Sequence, residues 1–133
     1  MLFRSAVCSV TDTPATLLVC MNTASRSHQH FIDNKVLCVN VLSAQQEHIS
    51  NAFASKLDSH ERFKQGNWTE LETSSPVLKD ALVSFDCHID QIQEVGTHSI
   101  FICKVVAIQQ NNTDQSLVYF NRAYHHVGET EAV

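Results

Sequence analysis

Histidine and cysteine are the residue types through which this chain could do chemistry unaided, and it has eight of the first and five of the second. Their spacing decides how far that goes. His28 and His30 stand two apart and His125 adjoins His126, yet no H-x-x-x-H, H-E-x-x-H or mixed Cys/His cluster with ligand spacing occurs. No metal site is therefore expected. Cys8, Cys20, Cys38, Cys87 and Cys103 are odd in number, widely spread and free of any C-x-x-C pair, which argues against a disulfide framework and a zinc ribbon. Each falls in a strand-like apolar segment. They are expected to be small buried thiols in a reducing cytoplasm, not nucleophiles served by a histidine base.

Three segments keep a chemical interest. Gly96-Thr97-His98 lies where one strand hands over to the next, which would place an imidazole at a barrel mouth. Arg122, Tyr124 and His125 put a cation and two ring systems within four positions. These groups are either solvated strand ends or binders of an anionic, planar ligand such as a nucleotide. The third segment, SAVCSVTDTPATLLVCMN over 5–22, carries Ser, Ala and Cys where core strands usually carry Val, Ile and Phe. Side chains that small suggest something flat or bulky close to the backbone. G-x-G-x-x-G, G-x-x-x-x-G-K-[ST] and G-x-S-x-G are all missing, so a Rossmann fold, a P-loop and an α/β-hydrolase gain no support.

The elements that would position these residues follow from pattern. At 133 residues with 44% apolar and 17% charged content, the chain has the make-up of one ordinary globular domain, 1–133. Its net charge is -5 and its nine Lys and Arg are scattered, which disfavours nucleic acid as a partner. No apolar run has membrane-span length, and the MLFRSAVC start is unlike a signal peptide. Strands are expected at Ser5–Val10 and Thr16–Met21 about a Thr11–Pro14 turn. A short helix follows, with Ser25 or Ser27 as N-cap and a stop near Asn34. KVLCVNVLS reads as a strand with Leu37, Val39 and Val41 on one face and Cys38, Asn40 and Leu42 on the other. SAQQEHISNAFAS reads as a helix, with capping-box spacing at Ser43 and Gln46 and an Ile49, Ala52, Phe53 stripe. A polar stretch holds a helical piece near Glu61–Lys64. Then come a strand from Ala81, with Val83, Phe85, Cys87 and Ile89 on its apolar face, and another over HSIFICKVVAIQQ. After a turn at Asn111–Asp114, SLVYFNRAYHHV is expected as one last strand. Short returns between strands favour a mostly β, mostly antiparallel closed or half-closed barrel with peripheral helices.

Four ordered blocks, SAVCSVTDTPATLLVCMN, LCVNVLSAQQEHISNAFAS, ALVSFDCHIDQIQEVGTHSIF and LVYFNRAYHHV, closely resemble the flavin reductase-like family. The likeness runs from Ser5 to about Val127 and is nearest to the reductase components of two-component flavin monooxygenases, those for 4-hydroxyphenylacetate and pyrimidine degradation among them. The resemblance implies an FMN-binding split β-barrel and an NAD(P)H:flavin oxidoreductase that supplies reduced flavin to a partner monooxygenase. The alternative it leaves is a flavin-binding or inactive truncated form without turnover. FMN or FAD would be the cofactor and NADH or NADPH the co-substrate. Ser5, Ala6, Val7 and Cys8 would border the flavin ring, and Asn22, Ser25 and Ser27 would approach its ribityl and phosphate end. Asn40, Leu42 and Phe53 would wall it, while His98, Arg122, Tyr124 and His125 would receive the nicotinamide nucleotide. Catalysis would need no side chain, since hydride passes from cofactor to cofactor. By analogy the protein would be a cytoplasmic homodimer. Family members carry several tens of residues before this point, including a Gly-x-Thr-Ala, where this chain has MLFR. The split barrel is accordingly expected to be N-terminally truncated, with sheet edges exposed and part of the flavin wall unbuilt.

Overall fold

The computed structural model describes residues 6–112 and 115–128. Its centre is a five-stranded antiparallel sheet with the order β1-β2-β7-β6-β3, built from β1 (Ala6–Asp12), β2 (Ala15–Asn22), β3 (Val36–Val41), β6 (Val83–Val95) and β7 (His98–Gln110). A tight return through Thr13-Pro14, a cis peptide, joins β1 to β2. Gly96, at φ 57, turns β6 into β7. β1 is an edge strand, and every one of its described residues is exposed. Of the expected turn at Asn111–Asp114, Thr113 and Asp114 lie outside the described residues.

The main core lies on the sheet face that carries Val19, Met21, Leu37, Cys87, Ile89, Phe101 and Cys103. Phe31 and Ile32 of α1 (His28–Asn34) pack against it. Ser27 occupies the N-cap position of α1 without a side-chain cap bond, so the expected cap geometry is not formed. The helix ends on Lys35, whose left-handed backbone (φ 57) lets its N–H donate to Phe31 O.

A second core joins α2 (Glu47–Ala54) to the small sheet of β4 (Trp68–Thr69) and β5 (Val77–Leu78) through Ile49, Leu78 and Ala81. Gly66 permits this packing. Its φ is +86, and an added Cβ would stand 2.9 Å from both Ile49 Cδ1 and Leu78 Cδ1. Expected from Ser43, α2 starts instead at Glu47. Gln46 Oε1 does accept from Ser43 N at 2.9 Å, half of the expected box. However, the backbone over Leu42–Ala44 is drawn into pairing with β8 (Gln115–Phe120), through Leu117 N to Leu42 O and Ala44 N to Gln115 O. α3 (Ser59–Phe63) begins at Asp58, whose side chain accepts from Glu61 N.

Two further expectations are corrected. The last strand is two: β8 reverses at Asn121-Arg122, with φ 52 and 62, into β9 (Ala123–Gly128). Two consecutive left-handed residues make the primed turn that suits a two-residue hairpin. Not every cysteine is buried. Cys8 is exposed and Cys20 and Cys38 are half-buried, because β1 is an edge and the far face of the sheet is only partly covered. The polar side of β6 is buried at Ser84 and Asp86: Ser84 Oγ donates to Asn40 Oδ1 of β3, and Asp86 Oδ2 accepts from Glu72 N and Thr73 N of the loop folded over it.

Candidate functional site

Opposed residues in a β-ladder share a face, so register places the small side chains of β1. Ala6, Cys20, Ile100 and Gln93 form one row across β1, β2, β7 and β6; Cys8, Leu18, Ile102 and Gln91 form the next. This is the face opposite the main core. On its β1 side Ala6 and Cys8 are exposed, and with half-buried Cys20 they make a strip of small side chains, the trough, beside half-buried Leu18, Ile100 and Ile102. Val7 falls on the other face. Ser5 lies outside the described residues. As an edge strand, β1 also leaves backbone N–H and C=O groups free along its outer side.

The same face ends on the pair Asn22–His98, with Val95 beyond it. Here the chain knots into a polar loop. Asn22 Oδ1 accepts from Ala24 N at 2.9 Å, and Asn22 O accepts from Ser25 N at 3.0 Å. Thr23 N and its hydroxyl both donate to Thr97 O, at 2.9 and 3.1 Å. Thr97 Oγ1 lies 2.9 Å from His98 Nδ1. Behind the loop, His28 Nε2 is 2.7 Å from the buried Ser99 Oγ, and its ring stacks on Phe101. The structure thus brings Asn22, Ser25, Ser27 and His98 to one end of the sheet. Exposed Arg26, which the spacing arguments passed over, stands among them as a cation between two serines.

Asn40, Leu42, Phe53 and Tyr124 gather elsewhere, around a cavity of about 610 Å³ bounded by α1, β3, α2 and the β8–β9 hairpin. Phe53, Phe63 and Trp68 form a triangle of tilted rings with centroids 4.9 to 5.6 Å apart. Asn40 is spent on structure: its Oδ1 accepts from Leu78 N and Ser84 Oγ, and its Nδ2 donates to Pro76 O. The Tyr124 hydroxyl is within hydrogen-bond reach of Ser50 Oγ (2.8 Å) and Asn51 Oδ1 (3.0 Å), which fastens the hairpin to α2. Arg122 is exposed in the hairpin turn, and His125 Nε2 lies 3.1 Å from Phe120 O. The fourteen sequence candidates are therefore not one constellation. Apart from Ser5 and Val7, they divide between the trough and its end, the cavity and the hairpin.

Three of the thiols are held in their protonated form. Burial pushes the Cys38 thiol up to about 12, with the Asp86 carboxylate and then Cys87 adding to it. Burial does the same to Cys87 (about 11, Asp86 adding) and Cys103 (about 12, Cys87 adding). These thiols stay protonated and weakly nucleophilic. Among the described residues no group of three or more His, Cys, Asp or Glu could hold a metal ion. No described helix is long and apolar enough to cross a membrane.

A flavin fits the trough end: small side chains and free edge-strand backbone groups for a flat ring, then hydroxyls, an amide and a cation for a phosphorylated chain. The cavity lining, which has no Lys or Arg, suits the phosphate poorly.

Residues 2–128 match the family model of the flavin reductase like domain. The chain is 54% identical over 121 residues to the protein named FMN reductase (NADH) RutF of Pantoea ananatis, covering 91% of this chain and 64% of that one. The protein of the same name from Acinetobacter baylyi is 53% identical over 120 residues, covering 90% and 64%. The chain thus spans just under two-thirds of the length of these relatives. A crystal structure of a putative flavin reductase from Haemophilus somnus superposes with TM-score 0.90 at 56% identity, covering 92% of this chain and 78% of that one. BorF, the flavin reductase component of a bacterial two-component tryptophan halogenase, superposes at TM-score 0.83 with 23% identity over 93% and 79%, a likeness of fold.

Proposed function

Since the chain belongs to the flavin reductase-like family and has its split-barrel fold, we propose that it is an NAD(P)H:flavin oxidoreductase, acting as a single domain over 1–133. The observation that carries this reading is the Asn22–His98 sheet end, with Ser25, Arg26 and Ser27 beside it and the small-residue trough leading into it. The names of the relatives, FMN reductase (NADH), favour FMN over FAD and NADH over NADPH.

Flavin, when bound, supplies the hydride-accepting chemistry, so the residues have only to bind and orient. Ala6, Cys8 and Cys20 leave room for a flat ring against the sheet, and the outer backbone groups of β1 bond its polar edge. Asn22, the two serines and Arg26 hold the ribityl and phosphate end. His98, adjoining that end, aligns the nicotinamide. Holding both reactants in one orientation is a main source of rate in such a transfer. The open β1 side lets a second ring stack and the reduced product leave, to be used by a separate flavin-dependent monooxygenase. Exposed Val7, on the face of β1 opposite Ala6 and Cys8, favours a second copy of the chain packed against that other face, as a homodimer. Five unpaired cysteines favour a reducing cytoplasm.

The test is anaerobic NADH and NADPH oxidation with FMN, FAD or riboflavin supplied in turn, followed by bleaching of the flavin band. Turnover dependent on added flavin, fastest with NADH and FMN, is the expected result. Flavin binding without nucleotide consumption would reduce the protein to a carrier, and absence of both would end the proposal.

A further inference from the structure

The loop 23–27 is short and polar, and it is closed at both ends on neighbouring rungs of one ladder. It leaves β2 at Asn22, which pairs with His98. Its return is marked by His28, whose Nε2 lies 2.7 Å from Oγ of Ser99, the next residue of β7. The departing end is tied by the bonds of Asn22 and Thr23 already described. The returning end has little support from its own helix. α1 has seven residues, fewer than stand alone in water, and its N-cap Ser27 makes no side-chain bond. Phe31 and Ile32 anchor the helix further along. At the junction with the loop, His28 makes the tie to the sheet.

That tie joins two contacts on one ring. The half-buried His28 imidazole stacks on Phe101, with centroids 6.1 Å apart and planes 23° apart. Phe101 is fully buried and also meets the Phe31 ring, so the surface under the imidazole is fixed. Ser99 is fully buried too, and a buried hydroxyl that loses its partner has no bulk water to turn to. Because a hydroxyl rotates to donate or to accept, either imidazole tautomer satisfies it. Stacking sets the plane of the ring and the Ser99 contact sets its depth. Together they decide where the chain enters α1. Register puts this latch one residue from His98 and one rung from Asn22. Slack in it passes directly to Ser25, Arg26 and Ser27, the three residues before it.

We propose that His28, acting through Ser99, is a positioning residue that holds the loop 23–27 in the geometry that receives the phosphate end of the flavin. This rests on the reading of Asn22, Ser25, Arg26 and Ser27 as the groups at that end. Two readouts are taken on the full chain without nucleotide. FMN and riboflavin, which differ only in the phosphate, are titrated by quenching of flavin fluorescence. Trypsin cleavage after exposed Arg26, inside the loop, is timed against cleavage after Lys104 in the middle of β7, which is cut only if the sheet opens. His28→Phe keeps a ring over Phe101 and loses the nitrogen. It should weaken FMN about fivefold, the worth of one hydrogen bond, and leave riboflavin within about twofold. Cleavage should quicken at Arg26 and not at Lys104. Ser99→Ala removes the other partner without stranding a buried hydroxyl and should act alike, which covers the case in which the Phe variant folds poorly. His28→Gln, whose amide reaches the place of Nε2, should restore the original FMN-to-riboflavin ratio. Equal weakening of both flavins, faster cleavage at both sites, or unchanged cleavage at Arg26 would each overturn the proposal. Faster cleavage at Arg26 with an unmoved flavin ratio would break the link from latch to phosphate and overturn it as well. Should the unaltered chain bind neither flavin, the reading of the trough end itself fails and the proposal falls with it.

Discussion

Asn22 and His98 face each other at the last rung of the β2–β7 ladder, where a strand that leads into a polar loop meets the first residue after a β-turn. The amide of Asn22 is tied inward, its Oδ1 accepting from Ala24 N, while His98 is bonded only to its neighbour Thr97. The two should therefore fail differently. Asn22→Ala frees a loop N–H and is expected to cost about 1 kcal/mol of stability, with weaker flavin binding as the loop loosens. His98→Ala should leave the urea midpoint and the flavin affinity nearly unchanged and raise the KM for NADH at least fivefold. Flavin fluorescence titration beside steady-state NADH oxidation separates the two. Equal damage to both parameters from both variants would mean that the pair is simply structural.

Arg122 occupies a backbone conformation that glycine adopts without strain, second in the Asn121-Arg122 turn. Arg122→Gly makes Asn-Gly, the favoured pair for such a turn, and is expected to stabilise the protein by roughly 0.5–1 kcal/mol. If the guanidinium also meets the phosphates of the nicotinamide nucleotide, the same variant should raise its KM about tenfold, the equivalent of one 1.4 kcal/mol contact. A rise in melting temperature with KM unchanged would remove Arg122 from the nucleotide site.

Much of the architecture was legible in local pattern. Alternation over Val83–Ile89, the Thr11–Pro14 turn and the Ile49, Ala52, Phe53 stripe each carry their element in a few neighbouring residues. What misled was non-local. The start of α2 was displaced because β8, seventy residues on, takes the backbone groups of Leu42–Ala44. The turn at Asn121-Arg122 was hidden because only one of its two left-handed positions carries a residue known for that conformation. The grouping of Asn40, Leu42 and Phe53 with Ala6–Cys8 rests on resemblance alone: strand order puts β3 and β1 at opposite edges of the sheet, so no local pattern can link them. Trp68 carried a signal that went unread: a lone tryptophan in an otherwise polar stretch has no reason to be there unless something apolar meets it.

Asp86 is a buried carboxylate that makes no salt bridge among the described residues; backbone and hydroxyl donors of Glu72 and Thr73 satisfy it. Asp86→Asn replaces one acceptor oxygen with a donor that faces another donor. The loss is expected to be on the order of 2 kcal/mol, from a lowered urea midpoint at constant slope. Flavin-dependent NADH oxidation should persist under conditions where the variant is folded.

The thiols give a pH dependence whose sign can be worked out. Cys38, Cys87 and Cys103 are pushed up from the ordinary 9.0 to about 12, 11 and 12. Between the ordinary and the raised values, the unfolded chain has released these protons while the folded chain keeps them. The unfolded state then binds fewer protons, so stability falls as pH rises from about 9. Urea midpoints should drop between pH 8.5 and 10.5, and Cys38→Ala should lessen that drop by removing one of the three groups. The same burial predicts selective alkylation. In the native protein at pH 8, iodoacetamide should label exposed Cys8 and spare Cys87 and Cys103, which react only after denaturant is added, as peptide mass analysis would show. Labelling of Cys103 at a rate close to that of Cys8 would mean that the sheet opens readily in solution and that the core face described for β7 is not closed.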